Sequence, residues 1–207
     1  MNIWFLILAA ASYLIGSIPF GLVLGKLRGV DVRDYGSGKI GTTNVMRTLG
    51  VKAGAVILVA DVLKGVIAVF LARYVVGSAA AEMAAGFAAV AGHNWSVFIR
   101  FRGGRGVATS VGGAITMVPV VGAAGLAVFA LVIATTRYAS LGSMMGAAGA
   151  AVASGIYTVL AQAPVEYLIF TAVAAALIVF QHRDNISRLL SGTESKLGQK
   201  GERRQGE

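Results

Sequence analysis

Apolar residues run through this chain in long unbroken stretches. Residues 3–25, 53–75, 79–99, 107–136, 140–160 and 164–181 are dominated by Ala, Val, Leu, Ile, Phe and Gly, and short polar stretches separate them. Runs near 20 residues match a hydrocarbon thickness of ~30 Å at ~1.5 Å per helical residue, so the pattern predicts a bundle of membrane-spanning helices. The first run lacks a basic leader and is too long for the core of a cleaved signal peptide; it reads as a retained span. Ser12, Ser17 and Pro19 inside it point to a face turned toward protein, and Gly21-x-x-x-Gly25 offers a close-packing surface.

Charge orients the spans. Residues 26–52 carry six Lys or Arg against Asp31 and Asp34, which places this segment in the cytoplasm. The connection 73–82 has little charge and reads as external. Arg100, Arg102 and Arg105 return the chain to the cytoplasmic side, and six Lys or Arg beyond His182 do the same for the tail. The 30-residue run 107–136 is either one long helix or two helices broken near Pro119. With one, the tail ends outside; with two, it ends inside. The expectation is therefore an all-α integral membrane protein with about seven transmembrane helices, N-terminus outside and C-terminus cytoplasmic. Its fourth span, about 106–118, is too short to cross the hydrocarbon upright and must be tilted, extended or packed in a thinned region. Residues 1–198 read as a single membrane domain. Leu189 and Leu190 among spaced basic residues read as a short interfacial helix, and 199–207 as a polar, disordered cytoplasmic tail.

Composition narrows the chemistry. The chain is 57% hydrophobic and only 13% charged, where soluble domains carry about 25% charged residues. It has no cysteine, which excludes disulfides, thiol nucleophiles and thiolate metal sites, and two histidines make a protein-built zinc site a poor fit. The net charge of +9 reports topology first, then anionic substrates or headgroups.

The candidate chemistry sits in the polar segments. Gly36-Ser-Gly-Lys-Ile-Gly-Thr-Thr-Asn-Val-Met-Arg47 combines glycines, hydroxyls and cations, which suits a phosphate. Gly36-x-Gly38-x-x-Gly41 matches a dinucleotide fingerprint in spacing, but no buried strand precedes it. The P-loop pattern fails because Ile40 follows Gly38-Lys39. The bland alternative is a flexible basic loop. Asp61 and Lys64, three residues apart within a span, are expected to pair, either as a structural ion pair or as a wall of the site. His93 lies near Arg-Gly-Gly-Arg-Gly at 102–106, a second anion contact. Residues 137–143 and 182–188 fall on the same face as these segments. A face with many donors and no paired catalytic carboxylates suits phosphate groups, and the apolar bundle behind it suits a lipid chain.

These segments resemble the bacterial acyl-phosphate:glycerol-3-phosphate acyltransferases, the PlsY family. The similarity runs from about Tyr13 to Gly198. It includes Gly16-Ser17-Ile18-Pro19, Gly36-Ser37-Gly38, Gly41, Thr43-Asn44-Val45, Arg47 and Asp61-x-x-Lys64-Gly65. It continues with Gly92-His93, Gly103-Gly104-Arg105-Gly106-Val107-Ala108-Thr109, Ser140-Leu141-Gly142-Ser143 and His182-Arg183-x-Asn185-Ile186-x-Arg188-Leu189. The resemblance implies transfer of a fatty acyl group from acyl phosphate to the 1-hydroxyl of glycerol 3-phosphate on a seven-span fold in the bacterial inner membrane, with the active site on the cytoplasmic side. It implies catalytic roles for His93, Arg105 and Asn185. It implies substrate binding by Ser37, Gly38, Gly41, Thr43, Asn44, Arg47, Ser143 and His182. No cofactor, metal or nucleic acid is implied; the expected partners are the two substrates, membrane lipids and other phospholipid-synthesis enzymes. Lys39, Ile40, Thr42 and Ser96 depart from the usual family residues, and Arg105 stands where Lys is common. Positions 98 and 187 are Phe and Ser, so neither histidine has the acid partner of the histidine-x4-aspartate acyltransferases. A transporter for an anionic metabolite and a non-catalytic membrane scaffold are the competing classes; the first would need polar groups deep in the spans.

Overall fold

The computed structural model describes residues 3–204. Ten helices follow one another among the described residues: α1 (Ile3–Ser17), α2 (Phe20–Leu27), α3 (Thr42–Leu49), α4 (Val51–Val75), α5 (Ala79–Asn94), α6 (Val107–Met117), α7 (Pro119–Thr136), α8 (Ala139–Ala161), α9 (Val165–Gln181) and α10 (Arg183–Leu190). Their boundaries have local causes. Pro19 lacks an N–H and interrupts the first run at Ile18–Pro19. Gly50, at φ +90°, ends α3 and starts α4 in a new direction. The Ser78 hydroxyl accepts from the Ala81 N–H and caps α5. Val118 is extended between α6 and α7, and Pro119 occupies the first position of α7, where its missing N–H leaves no bond unmade. The 107–136 run is thus two helices, broken at the proline.

Ile3–Leu27, Val51–Val75, Pro119–Thr136 and Ala139–Ala161 are long and apolar enough to cross a membrane. A fifth joins them if α9 and α10, bent by 59°, form one broken span, and α6 is a shorter apolar helix. Large apolar side chains stay exposed on the outer faces, among them Leu131 (66%), Val159 (78%) and Leu160 (79%). Apolar faces of that extent need a lipid solvent.

Inside the bundle, helices meet backbone to backbone. A side chain at Gly65 would strike the Thr109 carbonyl and one at Gly112 the Val62 carbonyl, so α4 and α6 touch through glycine. Gly21 and Gly25, expected to pack helix on helix, instead face the backbone at Ile40 and Val30. They seat α2 against the polar segment around the buried Val32, Ile40 and Val45.

Two polar segments are more ordered than the sequence implied. Residues 36–47, read as a loop, are a tight turn followed by α3, because Gly41 leaves an extended N-terminus from which Thr42–Leu49 coils. Residues 199–204, read as disordered from composition, lie against that turn. Gly36 donates to the Glu202 carbonyl (2.9 Å), Arg204 N–H donates to the Asp34 carbonyl (2.8 Å), and Tyr35 pairs with Arg203 in an isolated antiparallel bridge. Backbone pairing needs no apolar side chain, so composition could not reveal it. Residues 205–207 of the expected tail lie outside the described residues.

Candidate functional site

The turn at 36–41 is built around one side chain. The Asn44 carbonyl oxygen accepts from the Ser37 N–H (2.9 Å), and its amide donates to the Val32 and Lys39 carbonyls (both 2.8 Å). All three hydrogen bonds fold the loop back on α3. Gly36 and Gly38 adopt φ of +52° and +67°, which glycine tolerates without strain. Gly41 then stands at the N-terminus of α3 with open space where a side chain would be. The first-turn N–H groups, Thr42 and Thr43 face a position suited to an anion.

Cations surround it. Arg105, at the end of the 95–106 connection, is half-buried, and its buried Nε has no partner among the described residues. Burial, then Arg188, pulls its guanidinium down to about 10. Lys39 is lowered by burial and by Arg105. Arg47 is lowered by burial; it donates to the Ser195 carbonyl (2.8 Å), and its Nε is also unpartnered. A buried guanidinium with an unused donor is ready to meet an oxyanion.

The two histidines have different partners. His182 follows α9, with Nδ1 2.7 Å from the Ile178 carbonyl oxygen. A carbonyl only accepts, so the hydrogen is on Nδ1 and Nε2 keeps its lone pair. Burial, then Arg105, lowers His182 to about 4, so it is neutral. His93 ends α5 with Nδ1 3.4 Å from Lys64 Nζ, which itself lies 2.7 Å from Asp61 Oδ1. Asp61 is 3.6 Å from His93, beyond hydrogen-bond range. A donor, Lys64 Nζ, and an acceptor, Asp61 Oδ1, thus both stand at His93 Nδ1. The other face of His93 abuts Gly104, where a side chain would strike Nε2. The expected Asp61–Lys64 pair forms, and it reaches His93 as well.

Glu194 ties down the remaining segment. It accepts from Ser140 Oγ (2.7 Å), Asn185 Nδ2 (2.7 Å) and Arg188 Nε (2.8 Å). Burial pushes its carboxyl up, but these hydrogen bonds and the Arg188 charge outweigh it and hold the group below its ordinary range. Asn185 keeps its carbonyl oxygen unpartnered. Ser143 donates to the Ala139 carbonyl one turn back (2.8 Å).

These groups meet at one end of a cavity of about 750 Å³. Of the residues singled out from sequence, Ser37, Gly41, Thr43, Asn44, His93, Arg105, Ser143 and His182 line it. Gly38, Arg47 and Asn185 do not; they stand behind that wall. Asp61, read as a possible wall of the site, and Thr42, one of the loop's hydroxyls, line it too, as do Lys39 and Ser110, which were missed as ligands. Ser110 carries a buried, unpartnered hydroxyl in α6, where the sequence shows only a small residue in an apolar run. Glu194 was missed because a lone acid in a basic tail looks solvated. Beyond the polar end the cavity continues between α4, α6, α7, α8 and α9, past Val111, Phe129, Ile133, Phe170 and Ile178. Among the described residues no cluster of His, Cys, Asp and Glu could hold a metal.

A helical membrane bundle with a cationic, donor-rich chamber opening into an apolar arm defines an integral membrane protein that handles phosphorylated lipid-like molecules. The comparisons say which. A family model described as glycerol-3-phosphate acyltransferase matches residues 6–192. The chain is 49% identical over 195 residues to the glycerol-3-phosphate acyltransferase of Thermoanaerobacter pseudethanolicus (strain ATCC 33223 / 39E), covering 94% of this chain and 96% of that one. It is 43% identical over 204 residues to that of Clostridioides difficile (strain 630), covering 96% and 98%. Crystal structures of PlsY (YgiH), an integral membrane glycerol 3-phosphate acyltransferase, superpose with TM-scores of 0.87 for the glycerol 3-phosphate form and 0.84 for the lysophosphatidic acid form. Their identities are 40% and 39%, and each comparison covers 94% of this chain. The chain belongs to the glycerol-3-phosphate acyltransferase family and is an integral membrane protein.

Proposed function

We propose that this protein transfers a fatty acyl group from acyl phosphate to the 1-hydroxyl of glycerol 3-phosphate. The products are lysophosphatidic acid and inorganic phosphate, and the reaction is the first step of bacterial phospholipid synthesis. One observation carries this reading: a single cavity joins Lys39 and Arg105, whose buried Nε is unpartnered, to an apolar arm. An acyl phosphate has a dianionic head and an apolar tail, and glycerol 3-phosphate adds a second anion. The relatives whose structures hold glycerol 3-phosphate and lysophosphatidic acid support this choice of acceptor and product.

The turn 36–41, the α3 N-terminus and Lys39 hold one phosphate, and Arg105 with Ser143 holds the other. The acceptor hydroxyl attacks the acyl carbon; the new C–O ester bond forms, and the bond from the acyl carbon to the phosphate oxygen breaks. Phosphate is a good leaving group, so no acyl-enzyme is needed. His182, neutral near a pKa of about 4, is a weak base. It accepts a hydrogen bond from the attacking hydroxyl and aligns it, and the proton ends on the departing phosphate. His93 and the Arg105 guanidinium stabilise charge on the carbonyl and phosphoryl oxygens as it develops. Asn185 and Arg47, behind the chamber wall, position the tail and α3. The seven apolar segments α1–α2, α4, α5, α6, α7, α8 and α9 are read as seven crossings. The cationic chamber then lies on the cytoplasmic side of the inner membrane, by the positive-inside rule.

The donor is tested by supplying purified protein and glycerol 3-phosphate with palmitoyl phosphate or, separately, a palmitoyl thioester. Lysophosphatidic acid from the phosphate alone is expected. Product from the thioester alone would overturn the donor assignment and leave the acyltransferase family standing.

A further inference from the structure

The cavity's apolar arm has a floor. On α9 and at its C-cap, Phe170, Ala174, Ile178 and His182 recur every four residues along one buried face, and all four line the cavity. Phe170 is its deepest lining residue on this helix. Its ring is pinned, because side chains at Gly86 of α5 and Gly113 of α6 would each strike it, and the Phe87 ring lies against it at 5.2 Å between centroids. Met117, Val118 and Val121 pack with it in one buried cluster and close the space below. The farthest lining residues on α7 and α8, Gly122 and Ala150, lie at similar depth along their own helices.

We infer that Phe170 sets the length of acyl chain this protein accepts; the inference rests on the acyl-transfer reading above. Twelve residues separate His182 from Phe170, or about 18 Å of helix at ~1.5 Å per residue. An extended chain advances ~1.2 Å per bond, since three backbone bonds span ~3.6 Å. The arm between the reacting centre and the floor therefore takes about 15 bonds, an acyl chain of about 16 carbons. Ala174 stands one turn above the floor, about 6 Å or roughly five bonds nearer the site. Its methyl leaves the arm open, and a large side chain there would raise the floor.

The test is kcat/KM for acyl phosphates of about 10 to about 20 carbons with saturating glycerol 3-phosphate, for wild type, Ala174→Leu, Ala174→Phe and Phe170→Ala. Wild type should peak near 16 carbons and fall about 10-fold or more once the chain exceeds the arm, as pockets reject surplus methylenes. Ala174→Phe should move the optimum down by roughly five carbons and keep near-wild-type turnover of the short donor, which also shows that it is folded. Ala174→Leu should move it part of the way, and Phe170→Ala should raise the relative rate of the longest chains. Turnover in every variant with the wild-type chain profile overturns the ruler and leaves the acyl-transfer reading intact. If one substitution abolishes activity with all donors, the remaining variants decide by the same criterion. No turnover of any acyl phosphate by folded wild type overturns the acyl-transfer reading itself, and the ruler with it.

Discussion

At the scale of single residues the chamber is a set of buried groups with unequal obligations. Arg105 has an unused buried donor. Arg105→Ala is expected to lower kcat/KM by about 10²–10³-fold, as loss of a preorganised donor does, while Arg105→Lys keeps the charge and retains more activity; steady-state rates check both. His182 is neutral because burial and Arg105 lower it to about 4. Its folded pKa lies below the unfolded value near 6.5, so the unfolded chain binds the extra proton, and stability falls as pH drops from about 6.5 toward 4. His182→Gln should flatten that part of a Tm-against-pH curve in detergent. Glu194 acts with the same sign, since its lowered carboxyl stabilises at neutral pH and loses that contribution as pH falls through the acid range. Glu194→Gln replaces one acceptor oxygen with an NH2 donor among three donors; it should cost about 1–3 kcal/mol and lower Tm. The motifs carrying Ser37, Arg105 and His182 were legible in the sequence because glycine, hydroxyl and cation cluster there. The unpartnered Ser110 and the hub at Glu194 were not, because their meaning arises only from what packs against them.

At the scale of elements, two devices shape the site. Asn44 turns a flexible-looking glycine segment into a defined cradle with three hydrogen bonds. Asn44→Ala should raise KM for glycerol 3-phosphate more than it lowers kcat, because the cradle loosens while the cations remain; initial-rate kinetics separate the two. The other device is the α6–α7 break. Pro119 and the charge bias of the tail made it legible, since parity required two helices in one apolar run. The docked segment 199–204 was illegible, because main-chain bonds to Asp34 and Gly36 leave no mark on composition. On the proposed seven-span arrangement the break puts residue 120 at the external end of the bundle. A single cysteine replacing Val120 in this cysteine-free chain is expected to react with an impermeant thiol reagent from outside; reaction from the cytoplasm only would contradict the seven-span arrangement.

At the scale of the whole molecule, the fold is a lipid-solvated shell around one amphiphilic cavity. Glycine contacts bring α4 close to α6 and α7 close to α8. The cationic end and the apolar arm match the two ends of an acyl phosphate, and that match is the central claim. The measurement that tests it most directly is phosphate release from palmitoyl phosphate by the purified full-length protein, with and without glycerol 3-phosphate. Release that depends on the acceptor, with one lysophosphatidic acid formed per phosphate, is the expected result. Equal release without acceptor, or none from folded protein, would contradict the account.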